Sequence, residues 1–333
     1  MDFKRRAEMP RSRAPKVVDM FAGAGLLSHA FEREGFAIAA AYEQDPRAAA
    51  TYARNVGSHI QIADIECAKC DVKCDVLVAG PPCQGFSTLG KRNALDPRNS
   101  LSNHVVRWVG DLKPKLVVIE NVAAFLNAPI VRQIRARFEQ LGYCVSTNLI
   151  DASDFGTPQN RLRSFLIASR IGTPELYGHP RKLPPSVREA WHGLSPKPNG
   201  KNWHYAPTPS SLALARMRVI PLGGDKRDIM RDAPHLTPPS WWRVVGDVTD
   251  VWGRMNWDEP SNTIRTTFIN PSKGRYIHPE QNRVISLREG ARLQGIPDGW
   301  EFVGTPYQVA RQIGNGVPIT LGRAVARAVG KLF

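Results

Sequence analysis

The sequence predicts an α/β protein: a doubly wound, mostly parallel sheet carrying a smaller, irregular lobe. Three observations predict it. Short apolar runs alternate with amphipathic helical spans over residues 16–170. That alternation stops after Arg170 in a stretch rich in proline and tryptophan, and regular periodicity returns from about residue 284. The 333 residues are enough for one large core with a smaller lobe, or for two domains.

Residues 16–21 (KVVDMF) read as the first strand, closed by the turn GAG. Residues 26–36 then read as a helix with Leu26, Leu27, Ala30, Phe31 and Phe36 on one side. Residues 37–43 (AIAAAYE) form a second buried strand ending in Glu43, and Pro46 opens a second helix where its missing N–H costs least. Strands follow at 60–64, 74–79, 115–120, about 143–150 and about 164–169, with helices near 100–112 and 130–141. From there to about 260 the prolines cluster, and six of the eight tryptophans fall between Trp191 and Trp257. The segment RVISLREGARLQGIPDGW reads as a short helix and 317–332 as a longer amphipathic one. The expected organisation is a basic arm at 1–15, a first catalytic part at 16–170, an inserted lobe at 171–270, and a return at 271–333 that completes the core.

Composition narrows the class. A hydrophobic share of 42% and a charged share of 23% are globular, and no run approaches the roughly 18 apolar residues that a membrane span needs. The net charge of +15 favours a polyanionic partner, nucleic acid first. Residues 1–16 hold +4 of that excess and residues 261–333 hold +6, which reads either as a phosphate-facing side or as a solvated surface. The basic N-terminal stretch lacks the apolar core of a secretory signal, so a reducing cytoplasm is expected, and five cysteines are too few for a disulfide framework. Without heptads or a long apolar face, a monomer is expected.

In a doubly wound sheet the ligand lies beyond the carboxyl ends of the strands, at the first strand-to-helix turn. Phe21, Gly23, Gly25 and Leu26 occupy that turn, and Glu43, 20 residues after Gly23, suits a pair of ribose hydroxyls. Ser28 replaces the third glycine of the dinucleotide fingerprint, which weakens a pyrophosphate reading. An ordinary tight turn with a surface glutamate would look the same. A further strand-end acid, Asp64, suits an amino-bearing ligand better than a phosphate and points to S-adenosylmethionine over a nicotinamide cofactor.

The reacting centre reads from AGPPCQGFST (79–88). Cys83 follows a buried strand on a loop held by two prolines, at the catalytic edge rather than inside an element. Glu120, in VVIENV, ends the next strand at the same edge. A thiolate nucleophile beside a carboxyl group that manages a proton is the constellation this suggests; a core cysteine and a helix-capping glutamate are the plainer alternative. Gln159, Arg161 and Arg163 alternate in QNRLR, so they are expected on one strand face, suited to phosphate or a base edge unless that face is simply solvated. Cys67, Cys70 and Cys74 give C-x2-C-x3-C, but a fourth ligand is not evident, and no metal is expected.

Taken in order, DMFAGAGLLSHAF (19–31), YEQD (42–45), ADI (63–65), GPPCQGFS (80–87), ENV (120–122), QNRLR (159–163), REGARLQGIPD (288–298) and QIGNGVP (312–318) resemble the DNA (cytosine-5)-methyltransferase family, of the bacterial modification type. The resemblance covers nearly the whole chain. It implies that Cys83 adds to C6 of a cytosine, and that Glu120 hydrogen-bonds N3 and the amino group. It implies that Arg161 and Arg163 hold the cytosine O2 and the catalytic loop. Phe21, Gly23, Gly25, Leu26, Glu43, Asp64, Ile65, Pro82, Leu101 and Asn315 would line S-adenosylmethionine. Gln84, Ser87, Gln159 and Thr263 would contact DNA. The partner implied is double-stranded DNA with the target base extruded, and a cognate restriction endonuclease fits the bacterial type. An RNA (cytosine-5)-methyltransferase of the same architecture is the alternative.

Overall fold

The computed structural model describes residues 14–82, 101–176, 183–243 and 250–333; for residues 101–103 only the backbone is described. The basic arm up to residue 13 and the segment from Cys83 to residue 100 lie outside the described residues. The chain divides into two compact units. Unit 1 comprises Met1–Ile150, Leu162–Tyr177 and Gly322–Phe333; unit 2 comprises Asp151–Arg161 and Gly178–Leu321.

Unit 1 is built on a seven-stranded sheet: β1 (Lys16–Met20), β2 (Ala37–Glu43), β3 (Ile60–Ile62), β4 (Val76–Ala79), β5 (Leu116–Val122), β6 (Cys144–Asp151) and β7 (Leu162–Ser169). The spatial order is β3-β2-β1-β4-β5-β7-β6. β1 to β5 pair in parallel, whereas β7 runs antiparallel to β5, with Val122 opposite Arg163 and Glu120 opposite Phe165. The order turns back on either side of β1, which creates the switch point where such sheets hold ligands. β1, β4 and β5 are apolar along both faces because helices cover each side, and their Val, Leu and Ile side chains form the main core with Tyr42, Trp108, Phe125 and Phe138.

Local sequence explains the helix limits. Helix α1 (Leu26–Arg33) starts after Gly25, whose φ is 93°, and stops before Gly35 at φ 94°. It is therefore shorter than the 26–36 span that the periodicity suggests. Glu34, just past its end, accepts from Arg323 Nε at 2.8 Å and Arg327 Nη2 at 3.1 Å, which ties α1 to the end of the chain. Helix α2 (Pro46–Asn55) has Pro46 in its first turn and Asp45 as its cap, accepting from the amides of Arg47 and Ala48. Helices α3 (Leu101–Leu112) and α4 (Pro129–Gln140) complete the layers.

Unit 2 is not without regular structure. It holds α5 (Val187–Ala190), α6 (Ser211–Val219), α7 (Lys226–Asp232), α8 (Leu287–Leu293), α9 (Pro306–Asn315) and the first residues of α10 (Ile319–Gly330), joined by 3-10 turns. The compact division departs from the expected return at 271, since residues 271–321 belong to unit 2. Buried arginines cause this. Arg161 donates to the carbonyls of Ile264, Gly314 and Gly316, and Arg254 to those of Met217, Ile220, His278 and Gln281. Both stitch distant segments together by donating to carbonyls of loops and helix ends.

Candidate active site

The carboxyl ends of β1 to β5 bring one set of predicted residues together in unit 1. Past β1, Phe21 and Gly23 take positive φ values of 61° and 55°. The Gly23 amide donates to Glu43 Oε2 at 2.9 Å, and the Asp45 amide to Glu43 Oε1 at 2.8 Å. Each oxygen of this part-buried carboxylate keeps a second lone pair for a ligand hydroxyl. Burial pushes the Glu43 carboxyl up, and the two amide donations oppose that shift. Among the described residues nothing lies within 4 Å of where a Cβ on Gly23 would stand, so they leave this side of the turn open. Gly25 differs: a Cβ there would meet Val56 Cγ2 at 2.7 Å and Tyr52 Cδ2 at 2.9 Å, so this glycine admits α2 and not a ligand. Asp64, beyond β3, is exposed and accepts from the Gln44 side chain at 3.4 Å. The side chains of Leu26 and Ile65 are buried in the protein, so only their backbone could face a cofactor.

Glu120 lies on β5, buried to 8% exposure, and Arg163 Nε stands 3.1 Å from its Oε1. The pairing register explains the contact: Arg163 is opposite Val122, two residues from Glu120 on the same face, within diagonal reach for a long side chain. Gly80 lies beside this carboxylate: a Cβ there would be in ordinary contact with Oε2 at 3.7 Å. Asn121 Nδ2 donates to the Pro81 carbonyl at 3.2 Å, which fixes the end of β5 to the loop that leads to Pro82 and Cys83. This function for Asn121 escaped the sequence reading, although its place in ENV marked it. Cys83, Gln84 and Ser87 lie outside the described residues, as does the side chain of Leu101.

The model of the C-5 cytosine-specific DNA methylase family matches residues 15–331. The chain belongs to the C-5 cytosine-specific DNA methylase family. It is a DNA (cytosine-5)-methyltransferase. It is 35% identical over 335 residues to the Type II methyltransferase M1.HphI of Haemophilus parahaemolyticus, covering 95% of this chain and 86% of that one. It is 33% identical over 324 residues to M.NgoFVII of Neisseria gonorrhoeae, covering 92% and 84%. Among solved structures, the Entamoeba histolytica methyltransferase EhMeth has the same fold, with a TM-score of 0.67 at 18% identity, covering 96% of this chain and 99% of that one.

The QNRLR residues of this methylase do not lie on one strand, and they straddle the two units, with Gln159 and Arg161 in unit 2 and Arg163 in unit 1. β7 begins at Leu162, and of the three only Arg163 lies in it. Gln159 has no exposed surface: its Nε2 donates to the Leu293 carbonyl and the Gln294 side chain, and its Oε1 accepts from the Ile264 amide at 2.8 Å. The expectation that Gln159 touches DNA is corrected on that ground, because no atom of it reaches a surface. Arg161, 1% exposed, spends its guanidinium on carbonyls instead of a phosphate or base edge. Thr263 lies in irregular chain; its hydroxyl donates to the Asn160 carbonyl at 2.8 Å and can still accept. Asn315 is exposed at the end of α9. Beside it, a Cβ on Gly314 would come within 2.5 Å of the Arg265–Thr266 backbone, which is why GNG carries a glycine there. Cys70 and Cys74 pack against the unit 1 core, and burial pushes the Cys74 thiol up to about 12.

Proposed function

We propose that this methylase transfers a methyl group from S-adenosylmethionine to C5 of a cytosine extruded from a short double-stranded DNA sequence, through a transient Cys83–C6 bond. The observation that carries this reading is Glu120: a buried carboxyl group beside Arg163, on the strand whose Asn121 holds the Pro81 carbonyl, two residues before Cys83 in sequence. The Cys83 thiolate attacks C6, and the electron pair of the C5–C6 double bond moves into the ring. Glu120, carrying a proton in the bound state, would donate it to N3 and accept from the amino group, so the pair pushed toward N3 is neutralised, while Arg163 beside Oε1 orients the carboxyl. C5 of the adduct would then take the methyl group as its bond to the cofactor sulfur breaks and leaves a neutral thioether; removal of the C5 proton by a base restores the double bond and expels the Cys83 thiolate.

The Gly23 turn and the Glu43 carboxylate fit an adenosyl cofactor, with Phe21, Asp64 and Pro82 as further lining candidates in unit 1. When bound, S-adenosylmethionine supplies the electrophilic methyl group that C5 accepts. Residues 171–270 would read the target sequence. Residues 271–333 would complete the catalytic domain. The Type II names of the relatives support action beside a restriction endonuclease in a bacterial cytoplasm; a monomer is proposed because the sequence has no heptads or long apolar face.

Bisulfite sequencing of a plasmid from cells expressing the chain tests the reading, with Cys83→Ala as control. Methylcytosine in one short motif, seen only with the native chain, is expected. Its absence with both chains would overturn the DNA reading and move the same assay to cellular RNA. Its persistence in Cys83→Ala would overturn the nucleophile.

A further inference from the structure

Unit 2 places two adjacent tryptophans in the 3-10 turn Pro239–Arg243. Side chains in such a turn repeat every three residues, so neighbours point about 120° apart. Trp241 faces inward. Its ring is tilted against Trp252 at 6.1 Å, and the guanidinium of Arg216 lies 5.1 Å from the centre of each. Arg216 Nε also donates to the Leu236 carbonyl at 2.8 Å, so the turn is anchored to α6.

Trp242 faces outward and is 58% exposed. Its only polar atom is already used: the indole N–H donates to Thr237 Oγ1 at 2.8 Å, and that hydroxyl donates to the Pro234 carbonyl at 2.6 Å. The ring is thereby fixed, with apolar surface presented to solvent and no polar edge to satisfy. A fixed ring has already met the ordering cost that a mobile one incurs on binding.

Local charge indicates what covers it. Between residues 211 and 243 the acids Asp225, Asp228 and Asp232 are each paired with an arginine, whereas Arg218 and Arg243 are exposed. A fixed aromatic surface with the exposed Arg243 next to it in sequence, on a chain of net charge +15, suits a nucleobase or deoxyribose on a polyanionic strand. We propose that Trp242 is a DNA-contacting residue of this methylase, stacking on a base or sugar of the bound strand, with Thr237 as its positioning residue. This rests on the reading that the enzyme acts on DNA.

The test uses the purified full chain, unmethylated plasmid DNA and radiolabelled S-adenosylmethionine. Trp242→Ala should raise KM for DNA by about 5- to 100-fold, the range of one lost base stack, and leave KM for the cofactor unchanged. Trp242→Phe should recover most of that loss, and Thr237→Val, which frees the ring, should fall between. Unchanged KM for DNA in an active Trp242→Ala would overturn the proposal. So would a change in sedimentation instead of KM, which would assign the ring to a second copy of the chain. If the native chain methylates no DNA, the reading beneath fails separately. Quenching of native but not Trp242→Phe fluorescence by plasmid DNA then still decides the contact.

Discussion

Asp19, on β1, is buried to 1% exposure. Ser28 Oγ donates to its Oδ2 at 2.6 Å, Tyr52 Oη donates to Ser28 at 3.0 Å, and Tyr52 Oη lies 2.9 Å from His59 Nε2. Burial raises the Asp19 carboxyl to about 7; the Ser28 hydrogen bond opposes that shift and Glu43 adds to it. An unfolded aspartate ionises near 3.8, so the unfolded chain loses this proton first. Stability from this group is therefore full below about 4, falls as the pH rises toward about 7, and is flat above, for a total of up to ~4 kcal/mol by linkage. Asn in its place still accepts from Ser28 and never ionises. Urea unfolding should show Asp19→Asn gaining on the native chain by more at pH 8 than at pH 5; an equal difference at both would mean that Asp19 stays ionised in the folded state. At the same scale, Arg163→Ala should lower kcat by about 10²-fold with KM for the cofactor unchanged, because it releases Glu120 without touching the Gly23 turn. Unchanged kcat in steady-state kinetics would separate Arg163 from catalysis.

Among the elements, those whose environment is set by nearby residues were legible in the sequence. β1, β2 and α2 stand where the apolar runs and Pro46 placed them, and Glu43 and Glu120 sit at the strand ends from which their chemistry was read. What the sequence hid depends on contacts far along the chain. Gln159 and Arg161 look like surface polar residues in QNRLR, yet their partners are over 100 residues away. Helix α9 was readable and missed: Pro306 in its first turn and the Thr305–Gln308 capping box mark its start. Its end depends on Gly314, whose hydrogen lies against the Arg265–Thr266 backbone. Gly314→Ala should destabilise the protein by about 1–3 kcal/mol, because a backbone neighbour cannot turn aside as a side chain can. A melting temperature equal to that of the native chain would show that the two segments separate freely.

For the whole molecule, the net charge of +15 overstates the cations available to DNA. Residues 261–333 carry the largest excess, but most of their arginines have internal work. Arg265 pairs with Asp250, Arg275 with Asp225, Arg283 with the buried Glu289, Arg292 with Asp298, and both Arg323 and Arg327 with Glu34. Arg288 is buried and donates to the carbonyls of Asn202, Pro297 and Trp300. The expectation of a phosphate-facing last quarter is thus largely replaced by a structural one: these guanidinium groups hold loops and helix ends that lack partners of their own. The excess still acts at long range, attracting a polyanion and speeding encounter. Counterion release, however, counts only the phosphates neutralised in contact, so it should report the smaller number. Binding to a plasmid fragment should weaken with a log–log salt slope of about −4 to −6, corresponding to roughly five or six phosphates. A slope of about −10 or steeper would mean that the paired arginines leave their partners for DNA, and a flat response would remove electrostatics from binding altogether.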